Sequence, residues 1–231
     1  MRHLILFFAM LSFPFHSHTQ SPAYGILPIN QSVKKIIAKE ACTIQDIHPG
    51  YPASWVKTYV RLDLALTHHD EIKYAIGDGF NLSPAQKRLL QQGETGDDIV
   101  MTITYYPNNN LSKEQKEMQF TMRIVPDHDA EFQGGREAMQ QYLKEKAIDQ
   151  LAGLTDIPQV RIRFSVDPDG IVHQAYLLQP ARQKEVDAIL LNAISEMPRW
   201  IPATNADGRA SWQEFEFIVT NDLCAYNTLM Q

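Results

Sequence analysis

The sequence predicts an α+β protein of two units, each with a small antiparallel sheet packed by helices. Apolar and polar residues alternate in several short runs, which is typical of half-buried strands. Between these runs, apolar residues recur three and four positions apart, which is typical of amphipathic helices. Short turn segments join the strands and favour antiparallel neighbours over a parallel, doubly wound sheet.

Length and composition are those of a globular protein. The chain has 231 residues, of which 44% are apolar and 21% are charged, which is enough for two domains of about 100 residues each. The formal net charge of −6 argues against non-specific nucleic-acid binding, because that needs a basic surface. The two cysteines are too few for a disulfide-rich scaffold and have no metal-ligand spacing.

Residues 1–20 have the pattern of a secretory signal peptide. Arg2 and His3 precede an apolar run, Leu4–Phe15, which is shorter than the roughly 20 residues that a membrane-spanning helix needs. We expect cleavage near Gln20 and an exported protein with no retained membrane span. An uncleaved anchor or a buried helix is the alternative.

The first unit is predicted to contain two helices and two hairpins. Apolar residues at helical spacing indicate a helix over 31–43. Alternating residues predict one hairpin over 59–76 and another over 99–124. Ser83 is expected to cap a second helix, because Pro and Gln follow it at the positions of a capping sequence.

A polar segment that contains glycine begins at Pro126 and is predicted to separate the two units. The N-terminal unit then spans residues 21–125 and the C-terminal unit spans residues 126–231. The C-terminal unit shows a helix, a hairpin with a tight turn at Gly170, a helix that Pro198 ends, and a last strand. The apolar residues expected to be buried together are Phe164, Val166, Ile189, Ile194, Phe215 and Phe217.

Several motifs follow one another along residues 130–220. They are the segment Ala130–Gly135, a helix that ends in Tyr-Leu at Leu143, a strand that runs into an Asp-Gly turn, the run Met197–Pro202 (MPRWIP), and a final alternating strand. In this order they resemble the C-terminal domain of TonB-type energy transducers, in an exported form without an anchor. The MPRWIP run is similar to the family's MPKWxP, whereas Ala147 and Ile148 stand where the family carries Tyr-Pro.

The resemblance implies a periplasmic protein-binding module of the cell envelope that serves transmembrane transport. It implies a protein or peptide partner, an outer-membrane protein for example, that pairs with an exposed edge of the last strand. The implied partner-binding residues are Trp212, Glu214, Glu216, Ile218 and Thr220. Glu214 and Glu216 are expected to point outward. The alternative is an edge covered by the tail 221–231 or by the other unit.

No catalytic, metal-binding or cofactor-binding residues are predicted. The sequences His68-His69-Asp70 and Asp167-Pro168-Asp169-Gly170 are interpreted as turns. An envelope hydrolase or another enzyme with an unrecognised site is the alternative function. Because export leads to an oxidising compartment, Cys42 and Cys224 either form a disulfide or remain two separate thiols.

Overall fold

A computed structural model describes residues 22–29, 31–68, 71–108, 114–152, 154 and 157–221. The predicted signal peptide, the residues His69 and Asp70, and Cys224 lie outside the described residues. The described part is a mixed α+β structure, as the sequence predicts.

The strands and helices follow one another along the whole described chain. The strands are β1 (Ala23–Pro28), β2 (Ser32–Lys34), β3 (Val56–His68), β4 (Glu71–Gly77), β5 (Asp98–Pro107), β6 (Lys116–Val125), β7 (Glu131–Phe132), β8 (Val160–Val166), β9 (Val172–Gln179), β10 (Trp200–Ile201), β11 (Ala203–Thr204), β12 (Ala210–Ser211) and β13 (Gln213–Thr220). The helices are α1 (Lys35–Glu40), α2 (Ile44–Ile47), α3 (Pro84–Gln91), α4 (Gly135–Leu143) and α5 (Lys184–Ser195). A π-helical turn, Lys144–Ile148, and a 3₁₀ turn, Asp149–Leu151, extend α4, and a further 3₁₀ turn covers Ala53–Trp55.

The N-terminal sheet has the strand order β2-β6-β5-β3-β4. Both predicted hairpins are confirmed as the antiparallel pairs β3–β4 and β5–β6. The inward residues of its strands pack with α1, α2 and α3 into one hydrophobic core. The start of α3 is also as predicted, because Ser83 Oγ accepts from the Gln86 amide at 3.3 Å and Gln86 Oε1 accepts from the Ser83 amide at 2.9 Å.

The helix predicted over 31–43 is wrong in its first turn. Residues Ser32–Lys34 form β2, which pairs in parallel with β6, and the helix covers Lys35–Glu40 alone. Val33 is 5% exposed in the core, and the Arg123 amide donates to the Gln31 carbonyl at 2.9 Å. Backbone pairing with β6 therefore determines the structure of residues 32–34, although their apolar spacing favours a helix. Because β2 is parallel to β6, this sheet is not wholly antiparallel.

The C-terminal sheet is antiparallel, with the order β1-β13-β8-β9. One face packs against α4 and α5 in a second core, which contains five of the six residues expected there: Phe164, Val166, Ile194, Phe215 and Phe217. Ile189 is only partly buried, because the buried face of α5 is centred on Val186, Leu190 and Ala193.

The first strand of the chain belongs to the C-terminal sheet. Although residues 21–125 were predicted to form the N-terminal unit, β1 pairs with β13, and its Tyr24 and Ile26 pack against the second core. The connection from β1 to β2 therefore passes from one sheet to the other. Polar contacts also join the units, since Lys34 Nζ lies 2.5 Å from Asp129 Oδ1 and Thr95 Oγ1 donates to Asn205 Oδ1 at 3.1 Å.

Candidate partner-binding site

The last strand, β13, does not form an open edge. It pairs with β1 on one side and with β8 on the other. Gly25 lies opposite Ile218, and Ala23 lies opposite Thr220. Ile218 and Thr220 are each 2% exposed. The exposed edge expected at β13 is therefore wrong, and the alternative of an edge covered by residues assigned to the other unit is confirmed, because β1 occupies it.

Glu216 takes part in internal ion pairs. Arg163 Nη2 donates to one carboxylate oxygen at 2.6 Å, and Arg161 Nε donates to the other at 3.1 Å. Burial opposes ionisation of this carboxyl group, yet the two guanidinium groups outweigh burial and lower the pKa of Glu216 below its ordinary value. The negative charge that was expected to point outward is thus neutralised within the sheet.

Glu214 connects the two units. Arg123 of β6 donates to the Glu214 carboxylate and donates to both oxygens of Asp98, at 2.8 and 2.9 Å. The hydrogen bonds to Asp98 raise the pKa of Arg123 above its ordinary value, and Glu214 acts in the same direction. Glu214 therefore stabilises the contact between the units.

Trp212 is the most exposed of the five predicted residues. It is 49% exposed, and its ring lies 5.6 Å from that of His173. His173 Nε2 lies 2.8 Å from Asp167 Oδ2. Asp167 also accepts from the amides of Asp169 and Ile171 at 2.8 Å each, which confirms the predicted turn.

A groove of about 430 Å³ lies between β1 and the start of α4. Its apolar wall includes Ile26, Phe132, Met139, Trp200 and Phe215. Asp129, Glu131 and Arg136 also line it. This combination of apolar wall and few charged groups is typical of a binding groove.

Two motif segments from the sequence build the floor of the groove. Phe132 in β7 pairs with Trp200 in β10. The Trp200 ring centroid lies 5.6 Å from that of Phe132, 6.0 Å from that of Phe164 and 5.2 Å from that of Phe215. Gly134 precedes α4 with a φ of 90°, and a Cβ built there would lie 2.9 Å from the Ala138 Cβ. The glycine therefore lets the chain turn closely into α4.

The outer edge of β1 borders this groove. Within the part of the chain that the structure describes, no strand pairs with that edge. Backbone groups of an edge strand alternate between the neighbouring strand and the open side. Strand β1 was not predicted from the sequence, and the one signal for it was the short alternation of Tyr24, Gly25 and Ile26 just after the predicted signal peptide.

The other candidate groups do not converge on the groove. His68 Nδ1 lies 2.7 Å from Asp97 Oδ1 in the N-terminal unit. The Cys42 thiol is exposed there, and its Sγ lies 3.3 Å from Lys87 Nζ. Because Cys224 lies outside the described residues, its disulfide with Cys42 stays a prediction. The described residues contain no group of three or more His, Cys, Asp and Glu that could hold a metal ion.

Comparisons with protein-family models, curated proteins and solved structures find no match to this chain. The resemblance to TonB-type domains therefore rests on the sequence motifs. Within the described ranges, no helix is long and apolar enough to cross a membrane.

Proposed function

We propose that the protein is an exported, periplasmic module that captures a protein or peptide partner by pairing a partner strand with its C-terminal sheet. The proposal is supported by one juxtaposition. The outer edge of β1 and the apolar groove beside α4 lie next to each other. The TonB-type resemblance suggests the same mode of binding, in the service of envelope transport and with an outer-membrane protein as partner.

The edge of β1 and the apolar groove contribute differently to the proposed binding. In strand addition, backbone hydrogen bonds to the edge supply affinity, and pockets beside the edge select side chains. Here β1 supplies the backbone groups, up to Pro28, which has no amide hydrogen to donate. The groove, with Ile26 and Met139 in its wall, supplies an apolar pocket.

The proposed position differs from the one that the resemblance implies. A partner that paired directly with β13 would have to displace β1, with Tyr24 and Ile26 of its packed face. A partner that pairs with β1 leaves this packing intact. We therefore assign the partner to the β1 side of the sheet.

The alternative, an envelope enzyme, would need convergent titratable groups in a pocket. Among the described residues, the ionisable groups that line the groove are Asp129, Glu131 and Arg136. Asp129 is already bonded to Lys34 and to Gln213 Nε2, at 2.5 and 2.8 Å. A binding surface is therefore the better account of the groove.

The test begins with the mature protein as bait in an exported fraction, which supplies a partner for calorimetry. Met139→Glu places a charge in the groove wall and should weaken binding about tenfold or more, which corresponds to ~1.4 kcal/mol or more. Met118→Glu is the matched control, because Met118 is a partly buried methionine at the other core. It should bind like the wild type.

A photo-crosslinking residue gives a second readout that does not depend on stability. At Arg136, an exposed residue that lines the groove, it should form an adduct with the partner, whereas at the exposed Gln119 of β6 it should form none. Equal binding by a folded Met139→Glu variant, together with no adduct at Arg136, would refute the proposed site.

A further inference from the structure

An apolar row is exposed at the far edge of the N-terminal sheet. On β4, Ile72 is 49% exposed, Tyr74 is 71% exposed and Ile76 is 57% exposed. These side chains lie on the sheet face opposite the helices, because Ala75 between them is 8% exposed and lies opposite the core residue Leu64. The apolar half of β4 therefore faces solvent.

The charged residues of β4, Glu71 and Lys73, lie on the other face of the sheet, so they do not shield the exposed apolar row from another chain. Lys73 Nζ lies 3.8 Å from a Glu71 carboxylate oxygen, and 3.3 Å from Gln92 Oε1 just beyond α3. Natural edge strands are commonly protected by charged side chains or by a covering segment. Among the described strands, none pairs with the outer edge of β4.

We propose that β4 pairs antiparallel with β4 of a second copy of this chain, across a two-fold axis at Tyr74. The strand covers Glu71–Gly77, so Tyr74 is its midpoint. In the register centred there, Ile72 of one copy lies opposite Ile76 of the other. The two sheets then join into one continuous sheet, and the two apolar rows form a single patch.

The choice of a second copy rests on the self-complementarity of this strand, which a two-fold interface requires. In the register centred on Tyr74, Glu71 faces Gly77 of the other copy, and Lys73 faces Ala75. Like charges are not directly opposed: the two Lys73 side chains are diagonal neighbours about 7–8 Å apart, and each lies beside Glu71 of its own strand, 3.8 Å from a carboxylate oxygen. A partner of another sequence would need its own match to this pattern.

Ser83 lies at one end of the edge and is compatible with the pairing. Its hydroxyl donates to the Ile76 carbonyl at 3.2 Å. A carbonyl oxygen has two lone pairs and can accept a second hydrogen bond from the other copy. A single pair of strands buries less than the roughly 1,000 Å² of a stable interface. We therefore expect a weak dimer that depends on protein concentration.

Sedimentation velocity over a concentration series tests the dimer. The wild type should shift from monomer to dimer, and Tyr74→Lys should remain monomeric, because the dimer would place two positive charges directly opposite each other at the axis. Tyr176→Lys is the matched control, since Tyr176 is 46% exposed on the edge strand of the other sheet. It should dimerise like the wild type. A monomeric wild type throughout the series, or a dimeric Tyr74→Lys variant, would overturn the proposal.

Disulfide trapping tests the register, with Cys42 and Cys224 both replaced by Ser. Opposed residues of paired strands have Cα atoms about 4.5–5.5 Å apart, within reach of a disulfide. Tyr74→Cys should therefore crosslink to itself. Ile72→Cys should not, because its counterpart lies about 13 Å away along the strand. A mixture of Ile72→Cys and Ile76→Cys should crosslink. Equal self-crosslinking of all three variants would contradict the register.

Discussion

Gly170 and Trp200 are in direct backbone contact. The Trp200 amide donates to the Gly170 carbonyl at 2.8 Å, and a Cβ built on Gly170 would lie 2.1 Å from the Trp200 carbonyl oxygen. The turn between β8 and β9 is thereby joined to the segment that forms the groove floor. The Asp-Gly turn and the MPRWIP run, which are far apart in the sequence, form one structural unit.

Replacing Gly170 by Ala should therefore destabilise the protein strongly. Gly208 is the matched control, because its φ of 79° equals that of Gly170 within a degree, and no atom lies within 4 Å of a Cβ built on it. Gly208→Ala should cost about 1 kcal/mol for the left-handed backbone alone. Gly170→Ala should cost about 2–4 kcal/mol, because the backbone must also move. Equal losses in urea unfolding would show that the contact with Trp200 relaxes freely.

Phe217 tests the position of the second core. Its side chain is fully buried between the sheet and the helices, so Phe217→Ala should lower the free energy of unfolding by about 3–5 kcal/mol. Trp212→Ala, at an exposed position nearby, should cost less than about 1 kcal/mol. A small loss at Phe217 would mean that β13 has the opposite face toward the core.

The central place of β13 changes the expected effect of proline on that strand. If β13 were an open edge, Ile218→Pro would remove only one backbone N–H group that faces solvent. In a strand paired on both sides, it should instead cost about 3 kcal/mol or more and disrupt the sheet. Ile218→Val, which keeps the backbone donor, should cost about 0.5–1.5 kcal/mol. Circular dichroism and urea unfolding would measure both, and a fully stable Ile218→Pro variant would contradict this arrangement.

Arg123 should contribute to stability through its contact between the units. Arg123→Met leaves Asp98 and Glu214 without their shared partner and should cost about 1.5–3 kcal/mol. Arg209→Met is the control, because Arg209 pairs with Asp207 at 83% side-chain exposure, where an ion pair is worth at most about 1 kcal/mol. Equal effects of the two variants would show that the contact between the units adds no stability.

The ion pairs of Glu216 predict that the free energy of unfolding depends on pH in the acidic range. The pKa of Glu216 is lowered in the folded state, so its contribution is complete above its unfolded pKa of about 4.3. The contribution is lost as the pH falls through the lower folded value. The free energy of unfolding should therefore fall more steeply below about pH 4 for the wild type than for Glu216→Gln. Parallel curves would mean that this carboxylate is not specifically stabilised in the folded state.

Local signals in the sequence predict local structure well. The capping sequence at Ser83 concerns residues three positions apart, and the turn at Gly170 depends on a few neighbours, so both are visible in the chain itself. Strand identity at Ile72, Tyr74 and Ile76 is also correct. The face on which they lie is not readable from alternation alone, because either set of alternate residues can point inward.

The candidate site was less predictable, because it depends on contacts between distant segments. Nothing near Ala23 indicates that its partner is Thr220, at the other end of the described chain. The same holds for β2, where pairing with β6 replaced a helical turn. Such tertiary contacts override local preference, and a single sequence does not show them.

The pairing of β1 with β13 also determines when the C-terminal sheet can be completed during synthesis. Ribosomes make β1 long before β13, so the C-terminal sheet cannot be completed until β13 has been synthesised. Contacts between residues this far apart in sequence slow folding, because a long loop must close first. The C-terminal sheet therefore stays incomplete while the N-terminal sheet, whose strands all lie between Ser32 and Val125, is already free to form.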